Sequence, residues 1–348
     1  MSIPDRQQIL RARSHFRGLW TGRPLVVVGL PRSGSTYLSH LVSCIKDWYV
    51  FDDLYLMRMA MSIGVGERLL KTEEAKILNN FMAWQLKARI KHESNFIRMS
   101  LSWDDVDLLE SSMNSACTLD PLPWWELLEE WMVRVAALHG ATNWGYKAPQ
   151  DFLSLVRLAE LFPAAKFIHL TRNPYDVLHS MKNLSGEDGA RSQYHPVVYA
   201  RYWRLAEDTV RANAETAMPI LQLRYEDLVA NPLASVNEVA SFLGALRVDS
   251  LPEMGRNTSH TGLSVGLSPL ELKIVERFAR PELQGYPVPP PDSRYGILGL
   301  FGFTEFIWVS LRFFSYQILR LIREKDKRYS VKLYLSRILS DWTTSSPH

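Results

Sequence analysis

A chain of 348 residues is long enough to bury a sizeable core, in one large domain or two smaller ones. Its 40 Lys and Arg against 37 Asp and Glu leave a net charge of +3, too mild to point to a nucleic-acid partner, and 47% hydrophobic with 22% charged residues are ordinary globular values. Two cysteines, Cys44 and Cys117, argue against a disulfide framework and fit a reducing compartment.

The opening stretch MSIPDRQQILRARSHF lacks the apolar core of a secretory signal, so a cytoplasmic location is the default expectation. Residues 1–23 read as a short basic helix leading in. Residues 24–30 form a short valine-rich run between Pro24 and Pro31, the pattern of a fully buried strand. Residues 35–46 continue as a helix, and WYVF at 48–51 is a second short strand ending in Asp52 and Asp53. Residues 54–140 are mostly helical, with breaks expected at SWDDVD and LDPLPWW. The stretch 143–151, NWGYKAPQD, is a strand end and turn before a helix at about 151–162. A strand at 166–171, a turn at Asn173-Pro174 and a helix follow, and PILQLRYEDL at 219–228 repeats strand and polar turn.

Buried strands alternating with helices predict an α/β fold, a parallel sheet with helices on both faces. Ligands of such sheets sit at the carboxyl ends of the strands, which gathers Arg32, Asp53, Lys147, Arg172 and Tyr225 toward one crevice. No internal repeat or low-complexity tract is apparent. After Pro281, GYPVPPPDSRYG (285–296) has the composition of a linker or strap.

The loop after the first strand, GLPRSGST, has the spacing of the nucleotide-triphosphate loop G-x-x-x-x-G-K-[ST], with Ser35 where the lysine belongs and a basic residue early, at Arg32. Successive backbone N–H groups in such a turn, with the following helix end, make an anion nest. Ser33, Ser35 and Thr36 add hydroxyl donors around Gly34, and Arg32 adds a planar fork suited to phosphate or sulfate. In LTRNPYDVLHSM, Arg172 follows a strand directly, and Ser180 lies about two helical turns on, so the two can grip one phosphate from two sides. Asp52 or Asp53 fits either a general base or a helix N-cap.

PRSGST after a first strand, with TRNPYDVLHS 140 residues later, resembles the sulfotransferases that use 3′-phosphoadenosine 5′-phosphosulfate (PAPS). YKAPQDFLSLVRLAELFPAAKFIHLTR and LQLRYEDLVANPLASVNEVASFLG resemble that family too, and the likeness covers about residues 24–245. The PRSG opening and the strand-end carboxylates look closer to its tyrosylprotein and bacterial-type branches than to the cytosolic drug-metabolising one. The resemblance implies a P-loop-type three-layer fold. It implies that the first motif holds the 5′-phosphosulfate, and that Arg172 and Ser180 hold the 3′-phosphate. It also implies that Lys147 lies near the bridging oxygen of the leaving group, that Tyr225 contacts the nucleotide, and that Arg256 and Ser259 lie on a loop closing over it. With no γ-phosphate to reach, such a loop needs no lysine at Ser35. Arg32 and Lys147 are then the charges expected against the transferring group, and adenosine 3′,5′-bisphosphate (PAP) is the product.

Asp53 is the first choice for the base, because it falls where the tyrosylprotein branch carries a catalytic glutamate. Asp52 is the neighbour that could serve instead, and strand alternation predicts that only one of the two faces the crevice. His92 and His260 are the alternatives if the chain follows the histidine-using branch. Tryptophans 103, 124, 125, 131 and 144 line either an acceptor pocket or the core.

The expected organisation is a sulfotransferase domain at 1–295 and a C-terminal helical extension at 296–348. The apolar stretch within 297–322 precedes a basic cluster, Arg320, Arg323, Lys325, Lys327 and Arg328. It reads as a helix packing on the domain or in a homodimer, as a helix lying on a membrane surface through 297–328, or as a spanning helix burdened by Glu305 and Arg312. The acceptor is expected to carry a hydroxyl, on a small molecule, a glycan or a lipid. The rival readings are a P-loop kinase using ATP and Mg²⁺, with WYVFDD as a metal-binding strand end, and a non-catalytic nucleotide-binding membrane adaptor.

Overall fold

The computed structural model describes residues 4–16, 24–91, 100–183, 194–216, 218–252, 266–287 and 299–323. The expected sites at His92, Arg256, Ser259 and His260 lie outside the described residues.

In chain order the elements are α1 (Arg6–Arg11), β1 (Leu25–Gly29), α2 (Ser35–Val42), β2 (Trp48–Phe51), α3 (Leu56–Ser62), α4 (Thr72–Lys91), α5 (Trp103–Leu119), α6 (Trp124–Leu138) and β3 (Asn143–Lys147). A 3₁₀ turn (Pro149–Ser154) leads into α7 (Leu155–Leu161), then β4 (Lys166–Thr171), α8 (Pro174–Lys182), α9 (Pro196–Ala214) and β5 (Ile220–Arg224). α10 (Tyr225–Ala230), α11 (Pro232–Leu243), α12 (Pro269–Ala279), a 3₁₀ turn (Pro281–Gln284) and α13 (Gly299–Arg323) complete it.

The five strands form one parallel sheet in the order β2-β3-β1-β4-β5. β1 is buried on both faces, which is why its sequence is a continuous apolar run. Its residues alternate between two cores: Val26 and Val28 join the larger one, and Leu25 and Val27 pack with Leu38, Leu41, Val236 and Val239 of α2 and α11. This gives three layers. The chain leaves β1 for β2 and β3 on one side, then crosses to β4 and β5 on the other. The carboxyl end of β1 is therefore the place where the strand order reverses, and where a ligand crevice opens.

The expected break at SWDDVD is instead the start of α5. Ser102 caps the helix and Asp105 reciprocates, Ser102 N–H donating to Asp105 Oδ2 at 2.7 Å. Charged residues that look like a loop are here the first turn of a helix. Trp124, Trp131 and Trp144 are fully buried core residues, whereas Trp103 is exposed, stacked under Lys87 Nζ at 5.7 Å.

Candidate active site

β1 delivers the chain into the loop through Gly29, φ 151°, where a Cβ would lie 2.5 Å from the Leu170 carbonyl oxygen of β4. The loop then needs two left-handed residues, Arg32 at φ 76° and Gly34 at φ 90°. Gly34 is required twice over, because a Cβ there would sit 2.3 Å from the Tyr225 ring. Gly34 caps α2 without a side-chain acceptor, so the first amides of α2 face the crevice without an intrahelical partner. Ser33 and Ser35 are buried within the turn, and Ser33 N–H donates to the Leu30 carbonyl at 3.1 Å.

Across the crevice, β4 ends at Thr171 and presents Arg172. Asn173 caps α8, accepting from Tyr175 N–H at 3.0 Å, and its own N–H donates to Glu226 at 2.8 Å. Arg172 Nη1 donates to the Arg32 carbonyl at 3.0 Å, and its guanidinium stacks 4.4 Å from the centre of the Tyr225 ring. Trp203 Nε1 donates to the Arg172 carbonyl at 2.9 Å and fixes the strand end. Arg32 Nε donates to Ser180 Oγ at 3.1 Å. Burial, and then the charge of Arg172, push the Arg32 pKa down. Among the described residues neither guanidinium pairs with a carboxylate. Arg172 Nε is buried without a hydrogen-bond partner. Uncapped amides, an orphaned buried N–H and two uncompensated cations around one loop fit a ligand carrying phosphate groups at two ends.

The other half of the crevice is built differently. β2 ends at Phe51, and Asp53 turns left-handed at φ 56°. Gln85 of α4 holds that turn, its Nε2 donating to the Asp53 carbonyl at 2.9 Å, while Leu54 N–H donates to the Lys147 carbonyl at 3.0 Å. Lys147 ends β3 and is 3% exposed. Its Nζ donates to Thr36 Oγ1 at 3.1 Å and contacts both Asp52 Oδ1, at 2.8 Å, and Asp53 Oδ1. Arg89, in the last turn of α4, donates to Asp53 Oδ2 at 2.7 Å and lies 3.5 Å from Asp52. Tyr55 Oη donates to Asp53 Oδ1 at 2.8 Å. Burial alone would raise the Asp53 pKa. The charges of Lys147 and Arg89 and the hydrogen bonds from Lys147 and Tyr55 outweigh it, and the carboxyl stays ionised below its ordinary value. His40 lies on the same side, its pKa pushed to about 4 mainly by burial, with Lys147 and Arg89 adding to the shift and Asp52 opposing it.

The crevice thus brings together Arg32, Ser33, Gly34, Ser35, Thr36, Asp52, Asp53, Lys147, Arg172, Ser180 and Tyr225, with two differences from expectation. Asp52 and Asp53 do not point apart. The strand stops before them and the left-handed turn at Asp53 cancels the alternation, so both reach Lys147 and Arg89. Arg32 and Lys147 do not share one partner. The left-handed backbone at Arg32 turns its side chain to Ser180 of α8, whereas Lys147 sits with the carboxylates. Arg89, Tyr55 and Gln85 are absent from the sequence reading. Tyr55 had a signal, lying two residues past Asp53. Arg89 sits 36 residues away on a long helix, and nothing local marks it.

Residues 24–248 match the family described as Sulfotransferase family. No curated protein matches. Among solved structures the chain is similar to the sulfotransferase domain of the Synechococcus PCC 7002 olefin synthase, at 20% identity, with 77% of this chain and 96% of that one covered and a TM-score of 0.46. It is also similar to the sulfotransferase domain of the curacin biosynthetic pathway, at 20% identity over 78% and 94% with a TM-score of 0.45. Sulfotransferase STF1 of Mycobacterium tuberculosis H37Rv matches at 18% identity over 74% and 76%, with a TM-score of 0.41.

Proposed function

The chain belongs to the sulfotransferase family, and from that premise we propose that it moves a sulfuryl group from PAPS to an acceptor hydroxyl by in-line transfer, with Asp53 as the base. The observation that carries the donor assignment is the uncompensated pair Arg32 and Arg172 beside the uncapped start of α2. PAPS brings the sulfuryl group, with one phosphate beside it at the 5′ position of the ribose and another at the 3′ position. The amides of Ser35 and Thr36 and the hydroxyls of the loop hold the 5′-phosphosulfate. Arg172, Ser180 and Arg32 hold the 3′-phosphate, and Tyr225 backs the cradle.

Lys147 supplies the fixed positive charge where negative charge develops on the leaving oxygen. Such preorganised charge is the main catalytic lever in a loose transition state of this kind. The acceptor oxygen bonds to sulfur as the bond to the nucleotide oxygen breaks, and the hydroxyl proton passes to Asp53. Arg89 and Tyr55 hold that carboxylate ionised and oriented. The acceptor is a small molecule, glycan or lipid carrying a hydroxyl.

The test is a thermal-shift titration with PAP against ATP and Mg²⁺, followed by turnover with labelled PAPS over phenol, glycan and lipid pools. PAP is expected to stabilise the protein. Stabilisation by ATP with Mg²⁺ alone would replace this reading with a kinase. Stabilisation by PAP without transfer to any pool would favour a binding module.

A further inference from the structure

α13 has two apolar faces, and the protein uses one. Val309 and Phe313 are buried, Phe306 packs against the core, and Ser310 Oγ lies 3.1 Å from Nε2 of His195, the residue that caps α9. The His195 ring is flanked by Phe306 and Phe313 at 5.5 and 5.3 Å. This is a docked helix, with an inner face that fits the body.

Its other face carries Ile307, Trp308, Leu311, Phe314, Ile318 and Ile322, all exposed, with Trp308 at 66% and Ile322 at 65%. At 100° per residue these six fall in an arc of about 120°, running about 24 Å along the helix. Thr304 and Ser315 are the exposed polar residues of that arc, and Arg312 lies at its edge. A predominantly apolar stripe of this size on a docked helix marks an interaction surface. It is not a membrane span: among the described residues no helix is long and apolar enough to cross.

The charge of the chain says what the stripe faces. Seven of the 40 Lys and Arg, but two of the 37 Asp and Glu, fall in residues 320–337, a local charge of +5. The 319 residues before them carry 33 basic and 34 acidic side chains, a net of −1. All of the chain's positive excess is therefore concentrated where α13 ends and just beyond. With a net of −1 over its first 319 residues, a second copy brings no matching excess of negative charge. A bilayer rich in anionic headgroups offers both an apolar layer for the stripe and negative charge for the adjoining segment.

We propose that α13 lies in the interfacial plane of an anionic membrane, its Trp308–Ile322 stripe in the headgroup–acyl boundary, with the basic charge that the sequence concentrates in 320–337 supplying the attraction to anionic headgroups. The proposal is independent of the donor and base assignments. The test is co-sedimentation of the full chain with phosphatidylcholine vesicles and with vesicles also containing phosphatidylglycerol, at low and high salt. Binding is expected with phosphatidylglycerol and is expected to weaken with salt. Lys325→Gln, Lys327→Gln and Arg328→Gln are expected to weaken it by about fivefold each. The triple replacement Trp308→Ser, Leu311→Ser, Ile318→Ser is expected to abolish it while leaving the thermal midpoint unchanged. Equal sedimentation with both vesicle types, no binding at all, or undiminished binding by the triple variant would overturn the proposal. So would a concentration-dependent dimer that the triple variant dissociates, which would assign the stripe to a second copy.

Discussion

The two halves of the crevice hold their charges in opposite ways. At the β2–β3 side every charge is answered: Asp52 and Asp53 share Lys147 and Arg89. At the β1–β4 side Arg32 and Arg172 sit close enough for one to lower the pKa of the other, with no carboxylate beside either among the described residues. A compensated cluster can be held in one geometry before any ligand arrives, which is what a proton-transfer site needs. An uncompensated pair of guanidiniums gains most when an anion arrives, which is what a binding site needs. In the proposed function, chemistry falls to the compensated side and affinity to the uncompensated one.

The largest effect that can break this division is at Asp53. Asp53→Asn keeps the shape but removes the proposed base, and turnover is expected to fall about 10²–10⁴-fold with PAP affinity by calorimetry nearly unchanged. If affinity falls as far as turnover, the compensated cluster belongs to nucleotide binding and the division is wrong. The complementary variant is Arg172→Ala. It removes a charged donor and the stack on Tyr225, and PAP affinity is expected to drop by about 1.5–3 kcal/mol. Adenosine 5′-monophosphate, which lacks the 3′-phosphate, is expected to bind wild type and variant alike. Equal losses for both nucleotides would move Arg172 away from the 3′ end.

A smaller effect tests the cradle itself. Gly34→Ala places a Cβ into the Tyr225 ring at a left-handed φ, and a strained position of this kind costs about 1–3 kcal/mol. A lowered thermal midpoint is expected in the free protein, and added PAP is expected to recover less of it than in wild type. An unchanged midpoint would mean that Tyr225 moves aside freely and does not back the loop.

The cradle was legible in the sequence because it is local. A buried strand, a turn with Gly34 and a helix follow one another within a dozen residues, and the Arg172 turn repeats that grammar. Strand order was not legible, but the rule that ligands meet strand carboxyl ends was enough to bring Arg32, Asp53, Lys147 and Arg172 to one edge. What stayed hidden depends on contacts between distant segments or on one backbone angle. Arg89 and Gln85 reach the site from a helix whose sequence looks like any exposed amphipathic helix. The joint orientation of Asp52 and Asp53 follows from a single left-handed residue that strand periodicity cannot foresee.

The smallest expected effect sharpens the compensated side most. Arg89 is one of the two cations that hold Asp53 ionised, and it is the more exposed of them. A carboxyl held below its ordinary value contributes stability above the unfolded pKa of about 3.9, and that contribution is lost as pH falls through the lower folded value. Arg89→Gln removes one of the lowering charges, so the folded pKa of Asp53 rises toward the ordinary range. Near neutral pH the carboxylate is still ionised, with Lys147 and Tyr55 in place, and turnover is expected to fall only modestly. The acid limb of the pH–rate profile is expected to move to higher pH, and acid unfolding is expected to begin at higher pH as well. Arg89→Lys, which keeps the charge, is expected to leave both near their wild-type positions. A limb that stays put in Arg89→Gln while acid unfolding shifts would mean that Asp53 supports the fold without being the group whose ionisation turnover requires. That outcome would pass the base to a neighbour such as Asp52.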